Sequence, residues 1–143
     1  MSSGESAVVW QIGPQQFTHD ELLKVWQGQF RDQDGLIWLT VPDIEAGTVR
    51  QVNSFLTGFG LRQHDIKRTL VEGVLSQSER LTGLMDVDQP SVETLFSTAQ
   101  LESISWEPEG FEVVYDDGGM FGHHMLIGRF DHFDRLIEVD FAG

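Results

Sequence analysis

The chain has 143 residues, enough for one domain to bury about two thirds of the surface its unfolded form exposes, so a single folded unit over 1–143 is expected. Ten Phe and four Trp in a 40% apolar composition lie far from the make-up of disordered segments, and the lack of Cys removes disulfides, thiolate nucleophiles, zinc-thiolate sites and redox chemistry. With 23 acidic against 9 basic residues the formal net charge is −14, which argues against nucleic acid and anionic membranes, both bound mainly through Lys and Arg.

The start, Met1-Ser2-Ser3-Gly4-Glu5-Ser6, has neither the basic residues nor the apolar run of a signal peptide. No apolar stretch approaches the ~20 residues needed to cross a bilayer. A bacterial cytoplasmic protein is expected.

Ala7 to Ile12 reads as a first strand, ended by Gly13-Pro14. Thr18 and Glu21 have the spacing of a capping box, with Phe17 and Leu22 as a hydrophobic staple. A helix is therefore expected from His19, burying Leu22, Leu23, Trp26 and Phe30 and stopping at Asp32-Gln33-Asp34-Gly35. Leu36 to Val41, bounded by Gly35 and Pro42, predicts a buried strand.

A second capping box at Thr48 and Gln51 opens a helix carrying Val49, Val52, Phe55 and Leu56, with Gly58 and Gly60 as its stop. A third helix begins near Asp65, with Ile66, Leu70, Val71, Val74 and Leu75 inside and Lys67, Arg68, Glu72, Glu79 and Arg80 outside. A short helix near Ser91 buries Val92, Leu95 and Phe96.

From residue 101 the apolar period changes to alternation. Four strands follow: Leu101 to Trp106, Phe111 to Tyr115, Met120 to Ile127 and Leu136 to Phe141. Ile104, Trp106, Phe111, Val113, Tyr115, Phe121, Met125, Ile127, Ile137, Val139 and Phe141 are assigned to the face that meets the helices. The expected fold is α+β: a mostly antiparallel sheet with a C-terminal four-strand meander and helices packed on one face.

No Lys or Arg lies between Arg80 and Arg129, while Asp86, Asp88, Glu93, Glu102, Glu107, Glu109, Glu112, Asp116 and Asp117 fall within that stretch. Such a field attracts and steers a basic protein, and it also simply keeps a protein soluble. The outer sheet face and its hairpin loops, with Glu102, Glu112, Asp116, Asp117, His124, Glu138 and Asp140, form the candidate partner-binding surface.

Gly58-Phe59-Gly60 lacks the third glycine and the Lys of a phosphate loop, and no Gly-x-Ser-x-Gly elbow is present. Two carboxylates placed across a sugar-sized cleft are not readable either. The four Trp are spaced as core residues, with stacking open to them only where a cleft exists.

The histidines carry the case for chemistry. His123, His124, Asp131 and His132 are donors that zinc or manganese accepts. Adjacent strand residues point to opposite faces, however, so His123 and His124 do not easily share an ion. His123 is read as a core histidine or a ligand, His124 as the partner of a carboxylate on the acidic side, and Asp131 as a turn residue or an ion ligand. No catalytic residue and no cofactor are assigned.

Ser103-Ile104-Ser105-Trp106, the run from Phe111 through Asp116-Asp117-Gly118-Gly119-Met120-Phe121-Gly122-His123-His124, and the closing Glu138-Val139-Asp140-Phe141-Ala142-Gly143 resemble the end of a bacterial domain family of unknown function. That family's tail reads Tyr-x-Asp-Gly-x-Leu-Phe, a Gly-His pair, alternating apolar residues and a terminal acidic-apolar-Ala-Gly. The resemblance spans about 40 residues. Here two histidines follow Gly122, so either His123 or His124 matches the family's histidine. Families of this small acidic type resemble immunity proteins that neutralise toxins encoded nearby, and the resemblance implies such a partner.

The leading expectation is thus an acidic, non-enzymatic immunity or inhibitor protein binding a basic partner. A metal-dependent or small-ligand enzyme built on His123, His124, Asp131 and His132 is the alternative, and a structural or oligomerising module is a third reading.

Overall fold

The computed structural model describes residues 12–32, 35–77, 91–119 and 124–142. A short 3-10 turn, Pro14–Gln16, precedes β1 (Thr18–Asp20), β2 (Val25–Asp32) and β3 (Gly35–Val41). Among the described residues two helices follow, α1 (Ala46–Leu75) and α2 (Val92–Thr98). The chain then enters β4 (Gln100–Glu107), β5 (Gly110–Asp116), β6 (Met125–Asp131) and β7 (Leu136–Ala142).

The seven strands form one sheet in sequence order. Every neighbouring pair is antiparallel except β3–β4, which is parallel. A parallel neighbour cannot be reached through a tight turn, so the helical segment makes the crossover. The expected α+β class and C-terminal four-strand meander are present. Both helices pack on one face, where their buried side chains join those of the sheet in a single hydrophobic cluster.

The region after Phe17 departs from the expected helix. Asp20 Oδ1 accepts hydrogen bonds from the main-chain N–H groups of Leu22 and Leu23, both at 2.9 Å, and Lys24 closes the turn with φ of 61°. Asp and Glu near a first helical turn and Asp in a tight turn offer the same local hydrogen bonds, so the capping signal is ambiguous. Tertiary pairing decides it: Trp26, Gly28 and Phe30 alternate toward the core while Gln27, Gln29 and Arg31 alternate away. Leu22 and Leu23 are left exposed at the turn.

The helix expected to stop at Gly58 and Gly60 runs on for 30 residues, and Thr48 lies inside it rather than at its cap. Gly58 and Gly60 within it cost about 1 kcal/mol each relative to alanine. Burial outweighs that cost, because Val49, Val52, Leu56, Phe59, Gln63, Ile66, Leu70 and Val74 keep a stripe at spacings of three and four across the whole length. The short helix near Ser91 is found, with Ser91 Oγ accepting from Thr94 N–H at 3.1 Å and Leu95 buried.

The core is aromatic at its centre. Phe55, Phe59 and Phe111 lie with ring centroids 4.9 to 6.1 Å apart, and Phe111 stacks on Phe130 at 5.2 Å. One polar contact is buried with them: Gln63 Nε2 donates to Asp32 Oδ2 at 3.0 Å. The phase of β6 differs by one residue from the expected one. Leu126, Gly128 and Phe130 face the helix, while Met125 and Ile127 are only half buried on the other side. Gly128 suits this register, because a Cβ there would stand 2.8 Å from Leu70 Cδ1 and Leu70 would have to shift to keep α1 on β6. Ile137, expected inside, is 59% exposed beside a register shift in the β6–β7 pairing.

The strand expected over 7–12 lies outside the described residues save for Ile12, as do Trp10, Glu79, Arg80, Phe121, His123 and the first part of the strand expected from Met120.

Candidate functional site

Strand alternation leaves one sheet face free of the described helices, and the pairing registers order its side chains in rows. One row runs Thr18, Gln27, Thr40, Ser105, Glu112, Arg129, Glu138 across all seven strands. The next runs Gln29, Trp38, Ser103, Val114, Ile127, Asp140 from β2 to β7. In these two rows the ionisable side chains, Glu112, Arg129, Glu138 and Asp140, all fall on β5 to β7, while β1 to β4 contribute Thr, Gln, Ser and Trp.

At the charged end Glu112, Ile127, Arg129, Glu138 and Asp140 line a shallow groove of about 170 Å³. Arg129 Nη1 donates to Glu138 Oε1, and this bond with the charge of Glu138 raises the pKa of the guanidinium further. Glu112 is pushed above the ordinary carboxylate value of 4.5, first by burial and next by the Glu107 carboxylate, with Glu138 adding to the rise and Arg129 opposing it. Three carboxylates, Glu107, Glu112 and Glu138, thus act on one arginine, and Asp140 lines the same groove. Arg129 and Glu107 had no place in the expected site; Arg129 stands on the open face because the β5–β6 register places it opposite Glu112.

The other expected residues separate into several environments. Glu102 is exposed at a bulge in β4, between Leu101 and Ser103. Asp116 accepts from Gly118 N–H at 2.8 Å. Asp117 is fully buried, its carboxylate accepting from the N–H groups of Gly119 at 2.6 Å and His124 at 3.0 Å. It ties Gly119 to His124 and does not lie on the surface. His124 is half-buried, and its ring Nδ1 has no hydrogen-bond partner among the described residues.

The alternative set built on histidine is taken apart by β6. His124 stands just before the strand and Asp131 ends it, which at 3.3 Å per residue puts them about 23 Å apart. Asp131 accepts from the N–H groups of Phe133 and Arg135 and from Arg135 Nε, and the Arg135 backbone bond leads in lowering its pKa. His132 Nε2 lies 2.7 Å from the Pro108 carbonyl oxygen. Asp131 and His132 share the β6–β7 turn while His124 lies at the far end of β6, and among the described residues no group of three or more His, Asp or Glu converges as a metal site.

Comparison with protein-family models, curated proteins and solved structures finds no match to this chain. No helix among the described residues is long and apolar enough to cross a membrane.

The raised pKa of Glu112 has a measurable sign. The folded chain holds this proton to higher pH than the unfolded chain, so the stability it lends is full below 4.5 and is lost as pH rises through the folded value. Glu112→Gln removes that loss. Its thermal midpoint is expected to exceed the parent's by about 1–2 °C at neutral pH, after discounting for partial exposure. The difference should vanish below pH 4.5; a variant less stable than the parent at pH 7 would contradict it.

Proposed function

We propose that this protein is a non-enzymatic acidic binding protein, an inhibitor of the immunity type, which neutralises a basic partner through the charged end of its open sheet face. The observation that carries the reading is the grouping of Glu107 of β4, Glu112 of β5 and Glu138 of β7 around Arg129 of β6, with Asp140 of β7 lining the same groove. Rigid strands hold these carboxylates in place, so little ordering entropy is lost when a cationic surface meets them. The half-buried Glu112, already unfavourable as an anion beside its neighbours, gains most from a Lys or Arg brought against it.

The net charge of −14 steers such a partner to the surface and makes association salt-dependent. The resemblance in the last 40 residues favours a toxin encoded nearby as that partner. Titration against the basic product of the adjacent gene tests the reading. Affinity should fall at least about tenfold when salt is raised from low to several times physiological strength. Glu112→Gln, Glu138→Gln and Asp140→Asn combined should weaken binding by about 10- to 100-fold. Unchanged affinity in the triple variant would remove this face from the interaction.

A further inference from the structure

We infer that the neutral end of the open face, centred on Trp38, is a binding site for an uncharged polyhydroxylated ligand, a mono- or disaccharide. Gln16, Thr18, Gln27, Gly28, Gln29 and Trp38 line a concavity of about 580 Å³, within the range of small-molecule sites. Trp38 is 50% exposed in the body of the sheet rather than at its rim. Gln29 stands directly across from it on β2 and Ser103 on β4.

The lining selects the ligand class. An indole face is a flat apolar surface with a negative quadrupole, suited to the row of C–H bonds on one side of a pyranose ring. Gln side chains each carry a carbonyl acceptor and two N–H donors, and Thr a hydroxyl that does both, which matches hydroxyl groups that also donate and accept. None of the six lining residues is charged, so an ionic ligand would find no counter-charge there. Nucleotides are further opposed by the −14 of the chain. A purely apolar ligand would strand the amides of Gln27 and Gln29 without partners.

The wall of the concavity is fixed by packing. Ile12 and Phe17 are buried over Gly28, where a Cβ would collide with both side chains. Asn53 on α1 accepts from Ile12 N–H at 2.8 Å and donates to its carbonyl at 3.1 Å. Gln16 Oε1 accepts from Gly13 N–H at 2.6 Å. These contacts hold Gln16 and Thr18 beside β2 in the free protein. The site is separate from the acidic groove and does not depend on the partner reading.

Saturation-transfer NMR and fluorescence titration of the full chain with cellobiose, maltose and chitobiose, each to about 10 mM so that millimolar affinities register, test the proposal. At least one of the three should bind. Trp38→Ala should lower its affinity more than tenfold, Trp38→Phe should restore part of the loss, and Gln29→Ala should weaken it about 3- to 10-fold. Circular dichroism of each variant checks that the fold is kept. Binding of none of the three sugars, or binding that survives Trp38→Ala, overturns the assignment. Loss of a basic protein partner in Trp38→Ala, with no sugar bound by the parent, would make Trp38 an interface anchor instead.

Discussion

Replacing Gly110 by Ala is expected to destabilise the protein by about 3 kcal/mol or more, one of the two largest losses foreseen for a single substitution. Gly110 opens β5 and is paired on both sides, with Glu107 of β4 and Asp131 of β6. A Cβ at this position would run into the main-chain carbonyl oxygen of Phe130 and lie 3.0 Å from the Asp131 Cα. The obstacle is backbone, so no change of rotamer relieves it. Strands β5 and β6 must separate where Asp131 caps its own turn and His132 reaches the Pro108 carbonyl. Urea unfolding should show a lower midpoint with an unchanged slope. Gly47→Ala, with nothing within 4 Å of the new methyl, serves as the control that loses no stability. A Gly110→Ala protein as stable as its parent would mean that the two strands do not lie side by side here.

Phe59→Ala should cost about 3–5 kcal/mol, the range for deleting a buried aromatic ring. Phe59 is fully buried on α1 and packs against Phe55 and edge-on against Phe111, which itself stacks on Phe130. Phe59→Leu keeps most of the volume and should cost under about 1.5 kcal/mol. The consequence reaches the opposite face. Glu112 and Arg129 are the chain neighbours of Phe111 and Phe130, so a loosened aromatic layer frees the two strands that position the acidic groove. Stability, followed by thermal unfolding, and affinity for a basic partner should fall together in Phe59→Ala. Equal losses in the Ala and Leu variants would contradict the packing argument.

The meander from β4 to β7 was legible because its turns, Pro108-Glu109-Gly110 and Asp117-Gly118-Gly119, separate short runs rich in apolar residues. Elsewhere a local signal was outweighed by distant contacts. Thr18 to Glu21 satisfies a helix cap and a tight turn equally well, and only the pairing of His19 with Trp26 selects the turn. Gly58 and Gly60 look like a stop until the burial stripe is followed past them to Val74. In β6 both phases carry apolar residues, Met125 and Ile127 against Leu126 and Phe130, and the choice rests on Gly128 lying under Leu70, a long-range contact that alternation does not contain.

The candidate surface was legible in part for the same reason. Glu112, Glu138 and Asp140 fall on the open face as expected. Asp117, counted with them, is consumed by its loop. Trp38 was classed with the core because a run of apolar residues bounded by Gly and Pro does not reveal that only one side of the strand is covered.

The single parallel pairing bears on how the molecule assembles. Trp38, Leu39 and Thr40 meet Ser103, Ile104 and Ser105, partners about 65 positions distant along the chain, whereas the antiparallel pairs join strands linked by short turns. Closing so long a loop costs more entropy than forming a hairpin. The N-terminal three strands and the C-terminal four can therefore organise early and independently. Their union across this seam is expected to be the slowest step on the route to the native state.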